Sequence, residues 1–151
     1  MPWFRQPIER RFRPGSGRTV LRTTIRLELE LARGDWVEVS DAVIDTGSSI
    51  CLVSATWARA NGFTLPPTSS VLPVRTAGGH VSGRVYERNT DARFVRMPEV
   101  PFTLATVFSD SHPPGLPALI GLHNFLHFWR VTFDGTREPA APAGHMRFET
   151  L

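Results

Sequence analysis

The stretch Val43-Ile44-Asp45-Thr46-Gly47-Ser48-Ser49 runs two apolar β-branched residues straight into an acid, a threonine, a glycine and two serines. Val and Ile favour strands, so the acid falls where a buried strand ends. A carboxylate in that place is expensive to desolvate, and a bland globular protein has little reason to put one there. Gly47 lets the backbone turn tightly and brings its N–H close to the acid. The hydroxyls of Thr46, Ser48 and Ser49 are short donors that can hold a carboxylate ionised and fixed in direction. A plainer alternative stands beside this one: a type I turn closing a hairpin, since Asp, Gly and Ser are all favoured turn residues.

Upstream of this stretch, Ile25, Leu27, Leu29 and Leu31 alternate with Arg26, Glu28 and Glu30, a period of two that puts one face in a core. Arg33-Gly34-Asp35 turns the chain, and residues 36–44 return as a second strand that ends on Asp45. Downstream, Ile50-Cys51-Leu52-Val53 is a short apolar strand. Ser54 then opens and Asn61-Gly62 closes a one-to-two-turn helix over residues 55–60. After a loop at 65–70, residues 74–86 form a hairpin whose tip is Ala77-Gly78-Gly79-His80. Residues 93–96 and 100–108 supply two more strands, and the proline-rich 113–117 is a rigid connection that cannot sit inside a sheet. Ala118-Leu119-Ile120-Gly121 then leads into a second short helix, followed by Val131-Thr132-Phe133-Asp134-Gly135. The expectation is a mainly β chain, closed or partly closed into a β-barrel, with one or two short helices.

The order of these segments resembles the retropepsin-like aspartic proteases: an Asp-Thr-Gly loop, a short helix, a glycine-tipped flap hairpin, and an apolar-apolar-Gly strand entering a helix. The resemblance covers about residues 20–135. It implies a domain over 19–137, preceded by a basic Pro/Gly-rich arm at 1–18 and followed by a tail at 138–151 that could supply a dimer-interface strand. It implies that Asp45, Thr46 and Gly47 form the catalytic loop, with Thr46 locking two such loops together and Gly47 contacting the substrate backbone. It also implies that Ser48 hydrogen-bonds the outer oxygen of Asp45, that Ala77, Gly78 and Gly79 close over substrate as a flap, and that Ile120 and Gly121 support the loop. For the hairpin tip, an ordinary surface turn is the plain alternative.

Peptide hydrolysis without metal or covalent intermediate needs one group to take a proton from water and another to give one to the amide. Two adjacent carboxylates do both, because like charges in contact share one proton. The chain has a single Asp-Thr-Gly; Asp91, Asp110 and Asp134 lack its surroundings. A working dyad therefore takes two copies of Asp45 across the two-fold axis of a homodimer. The expected activity is an aspartic endopeptidase acting on a peptide or protein substrate and favouring acid or mildly acidic pH. The alternative is a module of the same fold that binds or dimerises without cutting, Asp45 only bracing its loop. In retroviral members an arginine after the last glycine pairs with an acid beyond the Asp-Thr-Gly. Here Leu122 and Ser48-Ser49 occupy those positions, so this chain lacks both halves of that ion pair.

Composition agrees with one domain: 151 residues, 41% of them hydrophobic, suffice for a real core. Neither a membrane-length apolar run nor a signal-peptide pattern shows, which gives a cytoplasmic expectation and no membrane partner. Cys51 is the one cysteine and sits in an apolar stretch, so it reads as a packing thiol. All 17 basic residues are arginine, and seven lie within the first 26 positions. An arm binding nucleic acid is conceivable from those arginines with Trp3, Phe4 and Phe12. Acidic residues balance the rest of the chain to a net +3, so no nucleic-acid partner is expected. His123 and His127 stand four apart, a metal-ligand spacing. A zinc protease would want Glu where Asn124 stands, and no third ligand offers itself, so surface or capping histidines are the reading and neither metal nor cofactor is expected. Phe125, Phe128 and Trp129 read as core.

Overall fold

The computed structural model describes residues 1–13, 18–65, 70–76, 79–112, 115 and 118–151. In chain order its elements are β1 (Trp3–Pro7), β2 (Glu9–Arg13), β3 (Arg18–Arg22), β4 (Thr24–Ala32), β5 (Asp35–Ile44), β6 (Cys51–Ser54), α1 (Ala55–Ala60), β7 (Ser70–Thr76), β8 (Gly79–Phe94), β9 (Met97–Ser109), β10 (Ala118–Ile120), α2 (Phe125–Phe128), β11 (Trp129–Asp134) and β12 (His145–Thr150). The protein is mainly β with two short helices.

Six strands close a barrel in the order β4-β5-β10-β6-β9-β8, with β8 pairing back onto β4 through Leu27–Phe94 and Leu29–Ala92. Closure leaves the barrel wall without a free edge. The alternation in β4 does what a period of two dictates: Ile25, Leu27, Leu29 and Leu31 are all buried. Arg26, on the opposite face, reaches Glu38 of β5 at 2.7 Å. Gly34 takes φ +78 at the turn between the two strands, where a side chain would be strained.

Ser54 caps α1 by accepting the Trp57 N–H at 3.2 Å, and the Asn61 backbone N–H closes the helix on Trp57 and Ala58 carbonyls. β8 is one continuous strand, not a hairpin arm followed by a separate strand at 93–96. Its second half pairs with β9, its first half with β7, and Val95-Arg96 is the turn into β9. The β7–β8 ladder runs from Ser70–Val85 to Thr76–Gly79 and so extends beyond the barrel pairing.

The chain ends meet. β1 and β12 pair from Trp3–Glu149 to Pro7–His145, and β11 lies on the other side of β12, giving a three-stranded sheet. Phe4 stacks on Phe148 at 4.8 Å between centroids, and both rings meet Phe94 of the barrel. Phe94 also meets Trp129 edge-on at 4.8 Å. Residues from the expected arm, domain and tail thus share one aromatic core. Phe125 and Trp129 are fully buried as expected, but Phe128 is 40% exposed, because it adjoins Trp129 where α2 passes into extended β11, and adjacent side chains on an extended chain point to opposite faces. The hairpin of β2 and β3 pairs with no other strand among the described residues. No helix there is long and apolar enough to cross a membrane.

Candidate active site

The position of Asp45 follows from strand order. β10 lies between β5 and β6, parallel to the first (Val43–Leu119, Ile44–Ile120) and antiparallel to the second (Leu52–Leu119, Val53–Ala118). Residues 45–50, which join β5 to β6, must therefore cross over the end of β10. Gly121 sits under that crossing. A Cβ built there would lie 2.1 Å from the Ile50 carbonyl oxygen, 2.5 Å from its carbon and 2.8 Å from its nitrogen. No real side chain fits, so the crossing requires glycine.

Backbone hydrogen bonds pin the loop at both ends and along its length. Asp45 N–H donates to Ile120 O at 3.0 Å, Leu122 N–H to Ser48 O at 2.9 Å and His123 N–H to Ser49 O at 2.9 Å. Leu122 and Ser48 are thus joined by main chain. At the end of β5, Ile44 is held from the other side by Thr23, whose hydroxyl donates to Ile44 O at 2.8 Å while its carbonyl accepts the Ile44 N–H. Cys51 Sγ lies 3.8 Å from Gly121 O, and burial pushes this thiol up to about 11, the Gly121 hydrogen bond opposing the shift. A neutral buried thiol is a packing group and not a nucleophile.

Within the loop, the Asp45 carboxylate accepts the Gly47 N–H on Oδ1 at 2.9 Å. Ser48 N–H closes the turn onto Asp45 O at 3.2 Å. The Ser48 hydroxyl does not reach the carboxylate; it donates to Ile50 O at 2.8 Å. Asp45 is half-buried, and Thr46 and Gly47 are exposed. Thr46, Gly47, Ser48 and Ser49 form one wall of a cleft of about 490 Å³; Leu122, His123, Leu126 and His127 form the other.

Beside the loop, Leu52, Val85 and Val107 make a small apolar cluster separate from the main core, with Ile50 and Leu119 packed on it. Period-two alternation hides this cluster, because its members come from three strands that meet only after the barrel closes. Ile120 is fully buried, and its carbonyl accepts the Asp45 N–H at the start of the loop. Of the expected flap residues, Gly79 opens β8 and pairs with Thr76, while Ala77 and Gly78 lie outside the described residues. The second helix begins at Phe125, so His123 precedes it and Asn124, with φ +61, separates the two. The rings of His123 and His127 nevertheless stand 6.1 Å apart. No cluster of three or more His, Cys, Asp or Glu side chains suited to a metal occurs among the described residues.

No family model matches the sequence, and neither does any curated protein.

Proposed function

We propose that the chain is an aspartic endopeptidase of retropepsin-like fold that works as a homodimer. The observation that carries this reading is the loop crossing: a half-buried carboxylate at a strand end, beside an exposed Thr46-Gly47, on a backbone held against a glycine that admits no side chain. Such a loop presents Asp45 in a fixed direction, and fixed direction is what general acid–base chemistry needs. One chain supplies one such carboxylate, and a second copy across a two-fold axis supplies the other.

In that dimer the two Asp45 groups share a proton. The ionised member takes a proton from a water as its oxygen attacks the peptide carbonyl carbon. The protonated member gives its proton to the carbonyl oxygen, leaving a tetrahedral diol. As the C–N bond breaks, the carboxyl that took the water proton passes it to the leaving amine, and the other carboxylate takes a proton from a diol hydroxyl, which restores the single shared proton. The β7–β8 hairpin would cover the substrate and exclude water, with main-chain contacts from Ala77, Gly78 and Gly79.

A second reading has its own support. Because Asp45 Oδ1 accepts the Gly47 N–H, the acid also braces its turn, as it would in a binding module that does not cut. Digesting a mixed peptide library from about pH 3 to 7 with wild type and Asp45→Asn separates the two. The substitution keeps the shape and removes the shared proton, so cleavage is expected to fall by about 10²–10⁴-fold. No cleavage by either form of a folded dimer would favour the binding module. Equal cleavage by both would overturn a dyad built on Asp45.

A further inference from the structure

The geometry points to a binding site for a borderline divalent metal ion such as Zn²⁺, formed by His123 and His127 at the rim of the Asp45-loop cleft. Both side chains line the cleft and are exposed, with ring centroids 6.1 Å apart. Two Zn–N bonds of about 2.0–2.1 Å meeting near the tetrahedral angle place ring centroids roughly 5 Å apart. Small side-chain rotations therefore bring one nitrogen of each ring onto a common ion.

The backbone prepares this pair. His123 is tied to the loop by its N–H bond to Ser49 O, and Leu126 N–H and His127 N–H fold back onto Leu122 O and Asn124 O. Phe125, fully buried between them, anchors the turn in the core. The left-handed backbone at Asn124 carries the chain around, so the two imidazoles share the cleft although they do not share a helix. Holding ligands in place before binding lowers the entropy lost on chelation. Neither imidazole has a hydrogen-bond or ion-pair partner among the described residues, so a metal displaces nothing.

Ligand type selects the metal. Imidazole suits Zn²⁺, Cu²⁺ and Ni²⁺, whereas Mg²⁺ and Ca²⁺ take oxygen-rich, carboxylate-bearing sites, and no carboxylate lines this cleft. Two protein ligands leave positions open for water, which is a site for reversible binding and not for a structural ion. An ion held there sits within the cleft bounded by Thr46, Gly47, Ser48 and Ser49.

The test is calorimetric titration of ZnCl₂ into the tag-free, chelator-treated full chain, repeated for His123→Ala, His127→Ala and the double variant. Each single substitution is expected to weaken zinc binding at least tenfold, and the double to abolish it. MgCl₂ is expected to give no binding. Thermal unfolding with excess zinc should shift upward for wild type and not for the double variant. Melting without metal, unchanged on substituting these exposed side chains, shows that the variants are folded. Absence of zinc binding, binding indifferent to both histidines, or equal binding of magnesium would each overturn the site. No peptide enters this measurement, so failure of the protease reading leaves the site standing, and a chain that cuts but binds no zinc loses the site alone.

Discussion

The loop that carries Asp45 and the hairpin of β2 and β3 are opposite constructions. The hairpin is regular: five residue pairs from Glu9–Arg22 to Arg13–Arg18, each strand paired with the other and, among the described residues, with no further strand. The loop is irregular, with no ladder of its own, yet bonds to Ile120, Leu122 and His123 fix it and the Gly121 backbone lies directly beneath it. Regular local pairing gives a two-stranded ribbon only marginal stability. Contacts from elsewhere in the chain hold an irregular backbone far more tightly. Charge follows the same division: the hairpin sequence carries Arg10, Arg11, Arg13, Arg18 and Arg22 against Glu9, while the loop has only Asp45.

Gly121→Ala attacks the contrast where the effect should be largest. The new Cβ meets three backbone atoms of Ile50, so either β10 or the loop must shift. We expect about 3 kcal/mol or more of destabilisation in urea unfolding, together with loss of any peptide cleavage. A change under about 0.5 kcal/mol would mean the loop is not held by that approach.

Cys51 sharpens the picture through pH. Its thiol is raised from 9.0 to about 11 by burial under the loop, so the folded chain keeps a proton that the unfolded chain gives up. The stabilisation this represents is complete below about pH 9 and is lost as pH rises toward 11. The loss is about 2–3 kcal/mol relative to Cys51→Ala, which lacks the titrating group. Measuring unfolding of both proteins between pH 8 and 11 gives the difference directly. Parallel curves would mean that the thiol titrates freely and the packing beneath the loop is loose.

The hairpin should yield the smallest effect. Joining Glu9 to Arg22 by an Asn-Gly turn in place of residues 10–21 removes the ribbon and its Arg10–Pro142 contact at 3.3 Å. The urea midpoint is expected to change by no more than about 0.5 kcal/mol in free energy. A loss of several kcal/mol would show that the ribbon is integral to the fold, and the contrast with the loop would collapse.

Much of the architecture was legible in the residues because it is local. The alternation of Ile25, Leu27, Leu29 and Leu31 specifies a half-buried strand through the pleat alone. Ser54 and Asn61 bracket α1 because a cap is satisfied within one turn. The apolar run into Asp45 placed the acid at a strand end. Less legible were the exposure of Phe128, the start of α2 at Phe125 and the continuity of β8 through Arg93, since each depends on what packs alongside.

The sequence by itself determined where strands alternate, where α1 begins and ends, and that one carboxylate sits among hydroxyls and a glycine. Only the tertiary structure decided that β10 inserts between β5 and β6 and forces the loop across Gly121. It alone decided that Trp3–Pro7 pairs with His145–Thr150, and that His123 and His127 face one cleft. The reason is range. Periodicity and capping are settled by neighbours a few residues away, whereas these pairings join distant segments whose register is chosen by the closed barrel as a whole.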